Sequence, residues 1–110
     1  MFQLRGYVDE RGNPRFTAWF DTLDAQAAAK VTIALSRMGE GNFSSTKGVG
    51  SGVYEYRIDF GPGCRIYFGE DGDRIIILLG GGTKKRQQED IRTAQRRWAD
   101  YKKRKKKETD

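Results

Sequence analysis

The spacing of hydrophobic positions changes period twice along this chain. Gln3 to Val8 is a short mixed stretch that reads as a strand. Asn13-Pro14 reads as a helix start, with Asn as the cap and Pro at the first helical position. Phe16, Trp19 and Phe20 follow at helical spacing and predict a short helix ending near Asp21. Asp24 caps a second helix, in which Ala28, Val31, Leu35 and Met38 form one apolar stripe before Gly39 and Gly41 end it. Two helices joined so closely make a hairpin whose stripes face a common surface.

Gly41 to Gly52 is rich in Gly, Ser, Asn and Thr and predicts a loop, with Lys47 near its middle. The period then becomes two. In Val53 to Phe60, Tyr54, Tyr56, Ile58 and Phe60 share one face, and Val53, Glu55, Arg57 and Asp59 share the other. Gly61-Pro62-Gly63 turns the chain, and Cys64, Ile66 and Phe68 alternate with Arg65, Tyr67 and Gly69 in the next strand. Asp71-Gly72 is a hairpin signal. Arg74 to Leu79 is almost wholly apolar, as in a strand covered on both faces, and Gly80-Gly81-Gly82 marks its exit. From Thr83, a candidate cap, the helical period returns: Ile91, Ala94, Trp98 and Tyr101 form an inward stripe. The order β-α-α-β-β-β-α predicts an α+β fold, a small antiparallel meander packed with an N-terminal helical hairpin and a C-terminal basic helix.

Composition narrows the chemistry. At 110 residues, one core and one domain are expected. No apolar run approaches the ~18 residues of a membrane span. Met1 to Glu10 lacks the pattern of a secretory signal, and a single cysteine cannot form an internal disulfide, so a reducing, cytoplasmic setting is expected. Cys64 is the single cysteine and there is no histidine, which excludes His-assisted nucleophiles and the usual zinc sites. No metal and no cofactor is expected. Residues 1–82 hold nine Lys/Arg against ten Asp/Glu, whereas residues 83–107 hold twelve against three. A near-neutral body with a basic final quarter points to a polyanion, most simply nucleic acid. Lys102–Lys107 reads either as an interaction segment or as a solvated, frayed tail.

Arg57 and Arg65 flank the Gly-Pro-Gly turn and are expected on one polar face with Glu55 and Tyr67. If the helices take the other face, this side of the sheet is open. Two guanidinium forks beside a ring then make a platform for phosphate and base; the plainer reading is a surface of ion pairs. Gly80 to Arg86 lacks the Gly-x-x-x-x-Gly-Lys-Ser/Thr spacing of a nucleoside-triphosphate loop. It reads either as an anion-favouring entry to a helix or as a turn with solvated lysines. Asp71 and Asp73 read as turn residues, and Cys64 as a small buried side chain.

Three elements in order carry a resemblance: Glu55-x-Arg57-Ile58-Asp59, Gly61-Pro62-Gly63-x-Arg65-x-Tyr67-Phe68 and Gly80-Gly81-x-x-Lys84. Over Phe16 to Trp98 the chain resembles the RelE/ParE superfamily of toxins, and most closely its HigB-like, phage-derived addiction module killer branch. The position of Cys64 is often Tyr there, and the usual Asp-Lys-Ser after the glycine pair is here Thr83-Lys84-Lys85. The resemblance implies a RelE-like toxin domain over residues 1–101; the basic tail, 102–110, is an extension not typical of the family and is expected to be disordered. It implies the toxin of a type II toxin–antitoxin pair that cleaves mRNA on the ribosome without a metal. The implied partners are a cognate antitoxin, commonly a helix-turn-helix protein, together with ribosome and mRNA, and no membrane.

RNA cleavage by its own 2′-OH needs in-line positioning, charge stabilisation and proton transfer. The expected catalytic residues are Arg57, Arg65, Lys84 and Tyr67, with Lys47, Lys85 and Arg86 binding RNA. Without histidine, proton transfer falls to Lys84, Lys47, Tyr67 or water, so activity on free RNA should be feeble. Two other classes stay open: a ParE-like toxin that blocks DNA gyrase, and a non-catalytic nucleic-acid-binding domain.

Overall fold

The structure, a computed structural model, describes residues 1–109. Its elements are β1 (Gln3–Gly6), α1 (Arg15–Phe20), α2 (Ala25–Gly39), β2 (Thr46–Gly48), β3 (Val53–Ile58), β4 (Cys64–Asp71), β5 (Ile75–Thr83) and α3 (Gln87–Thr109). A single 3-10 turn, Lys84–Arg86, joins β5 to α3. The α+β architecture is as the sequence predicts, but the sheet has five strands, in the order β1-β5-β4-β3-β2. β1 pairs parallel to β5, and the other neighbours pair antiparallel.

The Asp24 cap forms: its carboxylate accepts from the Ala27 N–H at 2.8 Å. In the preceding helix Pro14, not Asn13, holds the cap position. The Asn13 backbone and side chain instead bond the Asp9 carboxylate. These backbone donors, Asn13 first, hold the Asp9 carboxyl down at about 2. β2 occupies part of the expected loop. Three residues, mostly exposed, carry no apolar alternation to reveal such an edge strand.

Two apolar layers sandwich the sheet. On one side Phe16, Val31, Ala34 and Met38 of the helical hairpin bury Tyr56, Ile58, Cys64, Ile66, Phe68, Ile76 and Leu78. Cys64 is buried there, and desolvation pushes its thiol up. On the other side Ala94 and Trp98 of α3 cover Val53, Tyr67, Ile77 and Leu79. This second layer corrects the expectation of an open sheet face. The inward stripe of α3 lands on the face that carries Glu55, Arg65 and Tyr67, and all three are buried.

β5 also runs through the glycines expected as its exit. Side chains from both layers lie against this stretch: a Cβ at Gly81 would sit 2.5 Å from the Trp19 ring, and one at Gly82 2.0 Å from Asp90 Oδ2. Only a strand without side chains leaves room for both. Of the tail 102–110 expected to be disordered, residues 102–109 continue α3 as helix, and Asp110 lies outside the described residues. Arg104 bonds Asp100 and the Val8 carbonyl, and Lys105 pairs with Asp71, which ties this segment to the body. Thr83 makes no side-chain cap.

Candidate functional site

The ladder places polar side chains in two rows. Lys47, Glu55, Tyr67 and Gly80 are successive partners across β2 to β5. Arg57, Arg65 and Gly82 form the adjacent row. Side chains two residues apart on a strand share a face, so these rows bring Lys47, Glu55, Arg57 and Arg65 together. They line a cavity of about 310 Å³ with Ser44, Ser45 and Thr46.

Glu55 is the centre of that cavity's chemistry. It is 1% exposed; one oxygen is hydrogen-bonded, and the other lies at ion-pair distance from two cations, leaving the buried Arg65 Nε without a hydrogen bond. Oε1 lies 3.5 Å from Arg65 Nε and 3.7 Å from Lys47 Nζ, and Oε2 accepts from Gln87 Nε2 at 2.9 Å. A buried carboxylate persists only with such partners. Gln87, at the first position of α3, carries no sequence signal for this role; only the path of the 3-10 turn brings it over β3.

Arg65 is buried and Arg57 is exposed. The Gly63 carbonyl fixes Arg65, accepting from its Nη1 at 3.0 Å. The same carbonyl accepts the Lys84 backbone N–H at 3.1 Å, which seats Lys84 beside Arg65 though outside the cavity lining. Arg57 makes no side-chain hydrogen bond or ion pair among the described residues, so its guanidinium faces solvent unpaired. Lys85 and Arg86 stand on the exposed 3-10 turn, and Arg86 is engaged with Glu89 at 2.8 Å.

Tyr67 does not line this cavity. It borders a second one, of about 300 Å³, between α1 and α3, with Trp19, Gly80, Gly81, Asp90 and Arg97. Its hydroxyl has no hydrogen-bond partner within normal distance. Burial, reinforced by the Glu55 and Asp90 carboxylates, drives it far above the ordinary tyrosine range. Burial likewise raises the Asp90 carboxyl and lowers the Arg97 guanidinium, which donates to the Leu79 carbonyl at 2.7 Å.

An exposed, unpaired arginine beside a buried arginine and a lysine, all set around one fixed carboxylate, is an arrangement for holding an oxyanion. The cations are placed by the sheet and not by a flexible loop. Residues 18–99 match the model of a family described as "Phage derived protein Gp49-like (DUF891)". The chain belongs to the Gp49-like family. This family is part of the RelE/HigB-type group of toxin–antitoxin toxins. A relative in Haemophilus influenzae (strain ATCC 51907 / DSM 11121 / KW20 / Rd), an uncharacterized protein, is 38% identical over 81 residues, spanning 73% of this chain and 82% of the relative. Residues 18–99 contain every residue that lines the Glu55 cavity, and Lys84. Among the described residues no helix is long and apolar enough to cross a membrane.

Proposed function

We propose that this Gp49-like protein is a ribosome-dependent mRNA endonuclease of the HigB-like branch, acting in the cytoplasm and held in check by a cognate antitoxin of the helix-turn-helix kind. The observation that carries this reading is the cavity in which Lys47, Arg57 and Arg65 converge around Glu55. The scissile phosphate sits against Arg57 and Arg65. The neighbouring 2′-OH attacks phosphorus in line and gives up its proton to water, a P–O bond forms to the 2′ oxygen, and the bond to the 5′ oxygen breaks. The fragments carry a 2′,3′-cyclic phosphate and a 5′-hydroxyl. The guanidinium groups stabilise charge on the equatorial oxygens as it develops.

Glu55 positions its cations. Its carboxylate fixes Arg65 and draws Lys47 over the cavity mouth, so that neither has to be ordered when RNA arrives. Lys84, seated beside Arg65, meets the leaving 5′ oxygen and supplies its proton. Lys85 and Arg86 contact flanking phosphate. Tyr67, protonated at neutral pH, acts from beneath the site by keeping its row closed to water. A lysine ammonium is a weak acid for this task. The ribosome compensates by holding the codon in place, and free RNA is cut feebly. No cofactor enters the scheme.

The test is primer-extension mapping of mRNA 5′ ends after expression without antitoxin, with parallel pulse labelling of protein and DNA. New internal mRNA ends and an early stop in protein synthesis are expected. If DNA synthesis stops first while mRNA stays whole, the target is gyrase and the nuclease reading is wrong.

A further inference from the structure

A third cavity, of about 410 Å³, lies on the helical-hairpin side of the sheet, lined by Lys30, Ile33, Arg37, Ser45, Arg57 and Asp59 among others. It shares Ser45 and Arg57 with the Glu55 cavity. The two meet at the β3 edge. β2 begins only at Thr46, and the last bond on this side runs from the Arg57 N–H to the Ser45 carbonyl. Beyond that bond no described residue pairs with this edge of β3, and the two cavities adjoin there, one on each face of the sheet, with Arg57 at the corner.

Cations mark the whole path. Lys47 and Arg65 stand on one side, Arg57 at the corner, and Arg37 and Lys30 on the far side. Lys30 and Arg37 lie seven residues apart on α2, which is two helical turns and hence one face. Arg37 makes no side-chain hydrogen bond or ion pair among the described residues, and the Lys30 ammonium lies only over the Phe60 ring, at 5.9 Å. Asp59 is the one carboxylate among the described residues lining this cavity. Between the two cations Ile33 is 47% exposed, an apolar surface on which a base can rest.

We infer that this second limb is a binding subsite for the sugar-phosphate backbone of single-stranded RNA flanking the cleaved linkage, with Lys30 and Arg37 on successive phosphates and Ile33 under a base. The inference rests on the nuclease reading for its substrate. A single strand can bend round a sheet edge, whereas a duplex, stiff over many turns, does not follow it. The spacing favours RNA over a peptide partner: the cations form a line, and the lining exposes a single large apolar side chain, too little for the apolar centre of a stable protein interface.

The experiment measures binding of a short, fully 2′-O-methylated single-stranded RNA, which cannot be cut, as a function of salt. The full-length wild type, Lys30→Ala/Arg37→Ala and Ile33→Ser are compared. For the wild type, log Kd should rise steeply with log salt. The double variant should lose about 0.7 from that slope for each phosphate contact removed. Ile33→Ser should weaken binding and leave the slope alone. All three residues are exposed, and circular dichroism should confirm unchanged folding. An unchanged slope in the double variant overturns the subsite, as does undetectable binding by the wild type. A double variant that keeps its RNA slope but loses the cognate antitoxin marks the groove as a protein-docking surface and also overturns it. Cleavage mapping of the wild type separates the two ideas: cleavage with an unchanged slope removes the groove alone, and a normal slope shift without cleavage removes the nuclease alone.

Discussion

Arg57 and Arg65 are register partners across β3 and β4, yet one is exposed and the other buried. Equal roles, expected from the sequence, therefore become unequal ones. Arg57→Ala should leave folding intact and lower cleavage about 10²–10³-fold, the usual loss when one preorganised charge donor is removed. Arg57→Lys should rescue poorly, because a point charge cannot replace a planar fork. Arg65→Ala should lose both activity and stability, the latter by about 1–3 kcal/mol, because Glu55 loses a buried partner. Urea unfolding set beside the cleavage assay measures the split. Equal stability of both variants would contradict the buried pairing.

Glu55→Gln offers a complementary test of positioning. The amide keeps the shape and a contact to Gln87 but gives up the charge that draws Lys47 and Arg65 together. Cleavage should fall, and RNA binding should tighten slightly as a negative charge leaves the cavity. Weaker RNA binding would show that Glu55 organises the cations for the ground state as well.

Much of the fold is legible in the sequence because its periods are clean. The two-residue alternation of Val53 to Phe60 and of Cys64 to Phe68 gives β3 and β4 and sorts their faces correctly. The stripes of α2 and α3 are equally clear, though Ala34 is buried where Leu35 is only half so. What the sequence hides depends on distant partners. The parallel pairing of β1 with β5 joins residues some seventy positions apart and leaves no local mark. An inward stripe on α3 does not say which face of the sheet it covers, and that choice decides whether Glu55, Arg65 and Tyr67 meet solvent. Of the site, the cationic residues are legible by type. The Glu55–Gln87 bond and the Arg37 limb are not, because they arise where separate segments converge.

The glycine run in β5 predicts a steric effect and not a loss of flexibility. Gly82→Ala would drive its methyl against the Asp90 carboxylate, and Gly81→Ala against the flat of Trp19. Either should destabilise the protein by about 1–3 kcal/mol, as overpacking does. Thermal melts report the loss, and Trp19 fluorescence should shift in the Gly81 variant. Melting temperatures matching wild type would mean that α1 and α3 yield easily.

Two tyrosines make α3 sensitive to alkali. Tyr7 bonds Asp100 and Tyr101 bonds Asp71, and burial first, then these carboxylates, push each hydroxyl from 10.0 up to about 12. A folded-state value above the unfolded one means that the contribution is whole below pH 10 and fades as pH climbs through about 12. Stability should therefore fall across that window. Tyr7→Phe and Tyr101→Phe should each remove part of the fall. Tyrosinate absorbance followed with circular dichroism over the same range checks the sign: tyrosines that ionise at an ordinary pH would show that neither bond holds α3.

Six consecutive residues, Lys102 to Lys107, are cationic, and no apolar side chain follows Tyr101. The segment therefore holds the body through ties such as Arg104 to the Val8 carbonyl and over the Tyr7 ring, and Lys105 to Asp71. Partly exposed pairs of this kind are worth about 0.2–1 kcal/mol each. Trp98, Tyr101 and the Tyr7 bond lie before the cut and keep the rest of α3 in place. Truncation after Tyr101 should thus preserve the fold and antitoxin binding and lower the melting temperature by a few degrees. The Asp71 carboxyl, held below the usual range chiefly by the Lys105 bond, should titrate higher in the shortened chain. Affinity for ribosomes or RNA should drop, with the log–log salt slope falling by about 0.7 for each phosphate contact removed. An unchanged slope would mean that the segment touches no phosphate and serves only to fasten α3. Failure to fold would mean that its ties are far stronger than exposed ion pairs.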